Sequence, residues 1–345
     1  MSRDDVVRRL LRSQEPSIRW KTRVWVLEED PESHAIRRLQ HEVATAPRTR
    51  ALLKDRKRPG PRGTPTGVYH KWLGDHWALA HLAELGYPPC DHSLQPRIDR
   101  ALECWLQPAY FREWVAKGTS EAEQSTNADR GVPCLRGRYR RCASQQGNAL
   151  YYATTLGLSN GACDKLVERL IHWQWPDGGW NCDRTASADT SSFGETLTPM
   201  RGLSVYGQVR RNRAARDAAL RASEVFLRRH LYRRMSDERV IYWEFPRLHF
   251  PLYWHYDILG ALKVLSRMGL ARDARCGDAL DLLEAKELPR GGWPAEGRYY
   301  DLAGVTPRRG TDRVDWESSG PHGNEWVTVD ALSVLHAAGR FSPKN

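Results

Sequence analysis

The chain has 345 residues, of which 40% are hydrophobic and 14 are tryptophan, and its formal net charge is +11. This composition excludes an intrinsically disordered chain, and no apolar run reaches the length of about 18 residues that predicts a transmembrane helix. The first residues, MSRDDVVRRLLRSQEPS, lack the apolar centre of a secretory signal. We therefore expect a soluble protein of the cytoplasm.

The positive charge comes mainly from arginine, which favours anionic partners. No dense basic run is combined with an RNA- or DNA-binding signature, so we expect no nucleic-acid partner. Peripheral contact with an anionic membrane stays open. The seven cysteines are dispersed and never spaced as CxxC, which predicts free thiols in a reducing compartment.

Apolar periodicity and helix-breaking residues predict helices in six successive pairs, each an outer helix followed by an inner one. The predicted pairs are 4–13 with 17–28, 33–45 with 70–85, 95–107 with 144–156, 162–175 with 190–206, 214–232 with 251–268, and 274–287 with 324–338. The only candidate strand is VIYWEF at 240–245. Three loops, 54–67, 117–133 and 296–322, are longer than connectors need and are predicted as candidate lids.

Five of the predicted segments end in a glycine placed as a helix C-cap. These glycines are Gly86, Gly157, Gly207, Gly269 and Gly339. The seventh residue before each of them is Leu or Met, and the eighth is Ala or Pro. Large apolar residues beside a column of small ones are typical of helices that pack closely on two sides.

A corner closed by tryptophan separates two predicted helices at QWPDGGW, 174–180. Pro176 and the following glycines cannot continue a helix, and residues from Asp189 onward can cap the next one. The same layout stands at QEPSIRW, 14–20, and at ELPRGGW, 287–293. We name these the first (14–20), second (174–180) and third (287–293) corners. A repeated corner predicts a repeated helical hairpin.

The second corner resembles the QW motif of squalene-hopene and oxidosqualene cyclases, and more broadly the toroid superfamily of terpenoid cyclases and protein prenyltransferases. The DxDD acid of class II terpene cyclases is missing from the sequence. Ser191 stands at the cysteine position of the prenyltransferase zinc site, and Val327 stands near its histidine position. The resemblance implies the fold and a small hydrophobic substrate, and we expect no metal and no other cofactor.

Six hairpins predict an all-α fold, an (α/α)6 toroid that forms a single domain over residues 1–345. In such a ring the first halves of the inner helices line a central cavity. Counting back from the cap glycines places three carboxylates there, which are Glu195, Asp257 and Asp330. Carboxylates in an apolar cavity would have raised pKa values and could serve as general acid or base. The alternative is that each caps a helix or pairs with an arginine.

Two further residues are candidates for acid–base chemistry. Asp189 flanks the second corner, with helix capping as its structural alternative. His255 lies beside Trp254 and Asp257 and could act as acid or base, although a satisfied buried histidine is the commoner outcome. Cys142 is a candidate nucleophile, but no histidine partner is identifiable from the sequence.

Aromatic residues at the starts of inner helices predict a surface for a carbocation or a sugar, or simply a filled centre. They include Trp77, Tyr151, Trp254 and Trp326. A basic segment just before the helix at 144–156 predicts a site for an anionic group such as diphosphate. Its residues are Arg138, Arg140 and Arg141, followed on the helix by Gln145, Gln146 and Asn148.

The leading hypothesis is an enzyme that acts on an isoprenoid or other hydrophobic substrate by acid (carbocation) chemistry. One alternative is a carbohydrate-active hydrolase or lyase, which requires two carboxyl groups within about 10 Å. Another is a non-catalytic module that binds an anionic partner through its basic rim. The sequence leaves the oligomeric state open.

Overall fold

A computed structural model describes residues 1–54, 67–124, 131–299, 314–317 and 319–344. The α-helices of these residues are α1 (Arg3–Leu10), α2 (Pro16–Lys21), α3 (His34–Thr45), α4 (Pro47–Leu53), α5 (Asp75–Leu85), α6 (Gln95–Trp105), α7 (Pro108–Phe111), α8 (Thr119–Gln124), α9 (Ala143–Thr155), α10 (Gly161–His172), α11 (Phe193–Val209), α12 (Arg213–Leu227), α13 (Ile258–Arg267), α14 (Gly277–Ala285) and α15 (Glu325–Ala337). The all-α prediction is confirmed. None of these helices combines the length and apolar character needed to cross a bilayer.

A small sheet interrupts the helices. Strand β1 (Glu113–Val115) pairs in parallel with β2 (Val132–Leu135), which pairs antiparallel with β3 (Arg138–Tyr139). The sequence predicted only a loop at 117–133. The candidate strand at 240–245 forms turns instead, with one isolated bridge from Val240 to Arg233. Most of two predicted lids, residues 55–66 and 300–313, and part of the third, residues 125–130, lie outside the described residues.

Backbone contacts group the chain into two compact units. The first unit comprises residues 1–88 with 227–345, and the second comprises residues 89–226. In the first unit α15 packs against α13 and α2, and in the second α9 packs against α11, α10 and α6. The closure of six hairpins into one ring, and the single domain, stay predictions.

Two kinds of helix alternate along the chain. In α6 and α10 the buried residues form one stripe at spacings of three and four, as in Cys163, Leu166, Val167 and Leu170 of α10. In α5, α9 and α15 burial extends around the whole helix, and residues 326–335 of α15 are all buried. This alternation is what the predicted outer and inner helices require.

Two predicted inner helices begin at least five residues later than expected. The helix predicted from residue 251 begins at Ile258, where the side chain of Asp257 accepts the N–H of Gly260 at 2.7 Å. The helix predicted from residue 70 begins at Asp75, after the N-cap Gly74.

Four of the five cap glycines adopt the left-handed conformation that the prediction requires. Gly86, Gly157, Gly269 and Gly339 have φ between 69° and 77°. Gly207 is the exception, because α11 continues to Val209. A Cβ at Gly207 would lie 2.5 Å from Cγ of Arg216, so this glycine serves close packing rather than a helix end.

The second corner is held by hydrogen bonds from its tryptophan and glutamine. Nε1 of Trp180 donates to the carbonyl of Leu170 at 2.9 Å, and its backbone N–H donates to Oγ1 of Thr196 at 3.2 Å. Nε2 of Gln174 donates to the carbonyl of Ala218 at 2.8 Å. The glutamine therefore ties the corner to α12.

The third corner repeats the tryptophan bonds. Nε1 of Trp293 donates to the carbonyl of Leu283 at 2.7 Å, and its N–H donates to Oγ1 of Thr328 at 3.0 Å. The first corner differs, because Trp20 lies within α2 and its ring packs on Gly86, where a Cβ would lie 2.3 Å from a ring carbon. The shared sequence spacing thus gives a shared structure at two of the three corners.

Helices α9 and α11 meet at backbone distance. A Cβ built on Gly147 would lie 2.4 Å from the backbone N and Cα of Pro199, and one built on Gly202 would lie 2.3 Å from the carbonyl O of Gly147. Backbone atoms cannot move aside as a flexible side chain can. The two glycines therefore fix the approach that brings the starts of both helices together.

We expect Gly147→Ala to lower the free energy of unfolding by about 1–3 kcal/mol, because the added methyl overlaps backbone and outweighs the gain in helix propensity. Urea denaturation measures this change. Gly161→Ala is the matched control, because a Cβ there meets nothing within 4 Å. A Gly147→Ala variant as stable as Gly161→Ala would contradict the close approach.

Candidate functional site

In the first unit, Asp257 and His249 form a buried pair. Oδ2 of Asp257 accepts the backbone N–H of His249 at 2.7 Å, and Nδ1 of the same histidine lies 3.2 Å from that oxygen. Oδ1 accepts the N–H of Gly260, so the carboxylate also caps α13. Capping was the alternative prediction for Asp257, and the histidine contact adds a second role. The carboxylate fixes the orientation of the His249 ring.

Beside this pair lies a group of six aromatic residues, here named the Trp72 cluster. It consists of Trp72, Trp77 and Tyr253, which are buried, and Tyr69, Trp254 and Tyr299, which are partly buried. Trp72 stacks on Tyr253 at 4.0 Å between ring centroids, and Trp77 meets Trp72 edge-on at 4.6 Å. Three of the six rings are therefore accessible from outside the core.

His255 is held between two rings of this cluster. Its imidazole is parallel to Tyr299 within 5° at 3.7 Å and to Trp254 within 21° at 4.1 Å. Tyr299 also stacks on His249 at 5.4 Å, which joins the cluster to the buried pair. Nδ1 of His255 lies 3.3 Å from the carbonyl oxygen of Leu252, to which it donates, so Nε2 is the proton-accepting atom.

Burial, with smaller effects from His249 and Lys71, lowers the pKa of His255 to about 4. The ring is therefore neutral at pH 7 and can accept a proton. The ammonium of Lys71 lies over two rings of the cluster, 4.9 Å from Trp254 and 5.5 Å from Trp72. The outer face of the cluster thus already holds a cation. Nε1 of Trp254 is buried without a hydrogen-bond partner among the described residues.

The other carboxylate predicted in this unit has a different environment. Asp330 accepts hydrogen bonds from Nζ of Lys21 at 2.8 Å and Nζ of Lys263 at 2.9 Å, and both lysines also contact Glu84. Pairing with basic residues was the alternative prediction for Asp330, although the partners are lysines and not arginines. Trp326 stacks on Phe250 at 4.9 Å, outside the Trp72 cluster.

In the second unit, Glu195 meets two cysteines. Its Oε2 accepts the backbone N–H of Ser144 at 3.0 Å, and its Oε1 lies 3.5 Å from Sγ of Cys182. The ligand atoms of Cys142, Cys182 and Glu195 all lie within 4.8 Å of one another, and all three residues are partly buried. Among the described residues this is the one group of three whose side chains could hold a metal ion.

The two thiols of this group have opposite pKa shifts. A hydrogen bond from Cys182, together with the charge of Arg141, lowers the pKa of Cys142 against the effect of burial. The same hydrogen bond and burial raise the pKa of Cys182. Arg141 is itself buried, and its guanidinium donates to the side-chain oxygens of Gln145 at 2.8 Å and Gln146 at 3.1 Å.

The remaining predicted anion-binding residues contact protein groups. Arg140 is buried and donates to the carbonyl oxygens of Asp183 and Ala188, at 3.1 and 2.8 Å. Arg138 lies over the ring of Trp175 at 5.7 Å. Two predicted residues further along α9 contact Arg201 of α11, which donates to Asn148 at 2.9 Å and covers the ring of Tyr151 at 3.7 Å.

Asp189 does not cap α11. It is exposed, and the helix begins later, at Phe193, with Ser192 as its N-cap. The carboxylate of Asp177 orders this loop instead, since it accepts the backbone N–H of Ser191 at 2.7 Å. A catalytic role for Asp189 stays a prediction.

Sequence reasoning missed three partners in these groups. His249 stands eight residues before Asp257, a spacing that a short turn can close, so this pair was detectable. Cys182 lies 40 residues after Cys142, and Tyr299 lies 44 residues after His255. No local sequence pattern predicts either contact.

No protein-family model matches this chain, and no curated protein matches it in sequence. Among solved structures, the type II terpene cyclase MstE from Scytonema in its apo form is 12% identical, with a TM-score of 0.38 over 94% of this chain and 88% of that one. A variant of MstE in complex with geranylgeranyl dihydroxybenzoate is 14% identical, with a TM-score of 0.40 over 95% and 88%.

The unsaturated glucuronyl hydrolase from Bacillus sp. GL1 is also similar, at 11% identity and a TM-score of 0.38 over 93% of this chain and 84% of that one. A type II terpene cyclase is thus among the structures that this chain resembles, as the second corner predicts. At these TM-scores neither likeness bears on what the chain does.

Proposed function

We propose that this chain is an enzyme that acts on an isoprenoid-like or other hydrophobic substrate through a carbocationic intermediate. The cation forms either when an acid protonates a double bond of the substrate or when an allylic diphosphate leaves with the electron pair of its C–O bond. The Trp72 cluster binds this cation, and Nε2 of His255 accepts the proton that is released when a new double bond forms. The observation that carries the proposal is the neutral His255, stacked between Trp254 and Tyr299 in a cluster whose rings already hold the ammonium of Lys71.

Each part of this arrangement suits the chemistry. Aromatic faces stabilise positive charge without offering a nucleophile that would capture it. A base with a lowered pKa stays unprotonated at pH 7 and is ready to end the reaction. The exposed ammonium of Lys71, which lies over Trp72 and Trp254, supports the binding of a substrate cation at these rings.

The carbohydrate alternative has less support within the first unit. It needs two carboxyl groups that face one substrate. Asp257 is engaged by His249 and the start of α13, and Asp330 is engaged by two lysines. A basic rim made of Arg138 and Arg140 also has less support, because both guanidinium groups already contact protein groups.

A carbocation mimic tests the binding step without knowledge of the substrate. We expect a farnesyl chain carrying trimethylammonium to bind about tenfold more tightly than its neutral tert-butyl counterpart, because only the former gains cation–π energy. Calorimetry measures both affinities. Trp254→Phe should keep the preference, and Trp254→Leu should remove it. Equal binding of the two compounds by the parent protein would overturn the proposed role of the cluster.

Turnover tests the catalytic step. The protein is incubated with squalene and with geranylgeranyl diphosphate, and the products are analysed by gas chromatography and mass spectrometry. We expect His255→Gln to lower the rate by about 10²–10⁴, the usual contribution of a general base. His92→Gln, which removes an exposed histidine, is the control. If the parent protein binds the cation mimic but forms no product from either substrate, it is a binding protein, and the proposal that it is an enzyme is overturned.

Contact with a membrane, which would supply such a substrate, also stays a proposal. Large apolar side chains are exposed on a short segment of the first unit, at Met235, Val240, Tyr242 and Trp243. Arginines lie within the same segment, at Arg233, Arg234 and Arg239. Exposed aromatic and basic residues together favour an anionic bilayer surface. Co-sedimentation with vesicles containing phosphatidylserine tests this contact, with Trp243→Ser as the variant expected to weaken it.

A further inference from the structure

We propose that Cys142, Cys182 and Glu195 bind a zinc ion, which keeps a fourth coordination position for water or a substrate atom. The site lies wholly within the second unit, and none of its three residues belongs to the Trp72 cluster. Two thiolates and one carboxylate are ligands that zinc accepts, and three protein ligands are the usual number where zinc takes part in chemistry.

The spacing of the three side chains suits a tetrahedral ion. Zinc bonds of about 2.3 Å to sulfur and about 2.0 Å to oxygen place neighbouring ligand atoms about 3.5–3.8 Å apart. Sγ of Cys182 is 3.5 Å from Oε1 of Glu195, and every pair in the group lies within 4.8 Å.

The backbone places the ligands independently of one another. Cys142 is the residue before α9, and Glu195 lies in the first turn of α11, whose approach to α9 is fixed by Gly147. Cys182 is brought close by an isolated β-bridge between Arg140 and Asn181, beside which the N–H of Arg141 donates to the carbonyl of Asn181 at 3.2 Å.

Surrounding groups orient the ligands and balance their charge. The N–H of Ser144 holds Oε2 of Glu195, which leaves Oε1 directed toward the cysteines. Two thiolates, one carboxylate and Zn²⁺ sum to a charge of about −1. The buried guanidinium of Arg141, whose side-chain acceptors are the neutral amides of Gln145 and Gln146, supplies the opposite charge.

The donor set selects the kind of ion. Calcium and magnesium require oxygen ligands, whereas thiolates favour softer ions such as zinc. The partial exposure of all three residues gives the ion a route into the site. The structure therefore assigns a thiophilic divalent cation, and zinc is the common one.

Metal analysis of the purified protein tests the proposal. We expect about one zinc per chain, and a chelated protein should rebind Zn²⁺ with a dissociation constant of about 1 μM or lower. Cys142→Ser, Cys182→Ser and Glu195→Gln should each lose most of the bound zinc. Cys90→Ser, at an exposed cysteine outside the group, should retain it.

Two measurements on the parent protein do not depend on the folding of variants. Co²⁺ added to the chelated protein should give the absorption bands of a tetrahedral thiolate complex. Zn²⁺ should protect Cys142 and Cys182, but not Cys90, from alkylation as read by mass spectrometry. Failure to rebind zinc, equal alkylation with and without zinc, or a disulfide between Cys142 and Cys182 in freshly purified protein would each overturn the site.

Discussion

Replacing Asp330 with alanine is expected to lower the free energy of unfolding by about 3–5 kcal/mol, because it leaves two buried ammonium groups with one carboxylate between them. Lys21 and Lys263 both reach Asp330 and Glu84, so the four charges cancel in the native protein. Burial acts to lower the pKa of Lys263, but the two carboxylates outweigh it and raise that pKa above its ordinary value.

Urea denaturation at pH 7 measures the loss for Asp330→Ala. The matched control is Asp217→Ala, which removes an exposed carboxylate 3.6 Å from Arg213 and should change stability by less than about 1 kcal/mol. Lys263→Met combined with Asp330→Ala restores the charge balance, so the double variant should lose less than the two single losses added together.

This experiment also decides between the two roles considered for Asp330. A variant that folds with nearly parental stability but has no activity would contradict the structural role and favour a catalytic one. A large loss of stability, reduced in the double variant, is expected if the four charges chiefly hold α2, α5, α13 and α15 together.

Local features of the fold were predictable because single residues determine them. A helix end that needs a positive φ selects glycine, and four of the five predicted caps have that conformation. The failure at Gly207 has the same kind of cause, since glycine also serves close packing and α11 uses it that way. The corners illustrate the limit: equal spacing predicted three equal structures, but Trp20 lies inside a helix, where its ring covers Gly86.

The candidate site was less predictable, because the helical register places a side chain on its helix but does not identify the side chain that it contacts. The helical register predicted that Glu195, Asp257 and Asp330 line one cavity, yet one meets two thiols, one holds a histidine and one pairs with two lysines. The lysines that pair with Asp330 come from segments remote in sequence, since Lys21 stands 309 residues and Lys263 stands 67 residues before it. Only the pair of His249 and Asp257 is local enough to be read from the sequence.

Acid should destabilise this protein partly through His76, a histidine of α5 that burial keeps neutral. Its ring packs against Tyr69 at 5.6 Å and edge-on against Trp77 at 4.8 Å, and it is almost fully buried. Burial lowers its pKa to about 3. The same residue in the unfolded chain has a pKa of about 6.5.

The sign follows from proton binding. Below about pH 6.5 the unfolded chain takes up a proton at this position, while the folded chain does not until about pH 3, so the free energy of unfolding falls as the pH falls through that window. The contribution is fully retained above about pH 6.5. Between about pH 7 and pH 4.5 the loss from this one residue is about 2–3 kcal/mol.

His76→Gln should therefore flatten the dependence of unfolding free energy on pH by about 2–3 kcal/mol over that interval, whatever its effect on stability at pH 7. Urea denaturation at several pH values gives both curves. His92→Gln, at an exposed position before α6, should follow the parent curve. If the curves of His76→Gln and the parent protein run parallel from pH 7 downward, His76 does not stay neutral in the folded chain, because a histidine that charges equally in both states adds no slope.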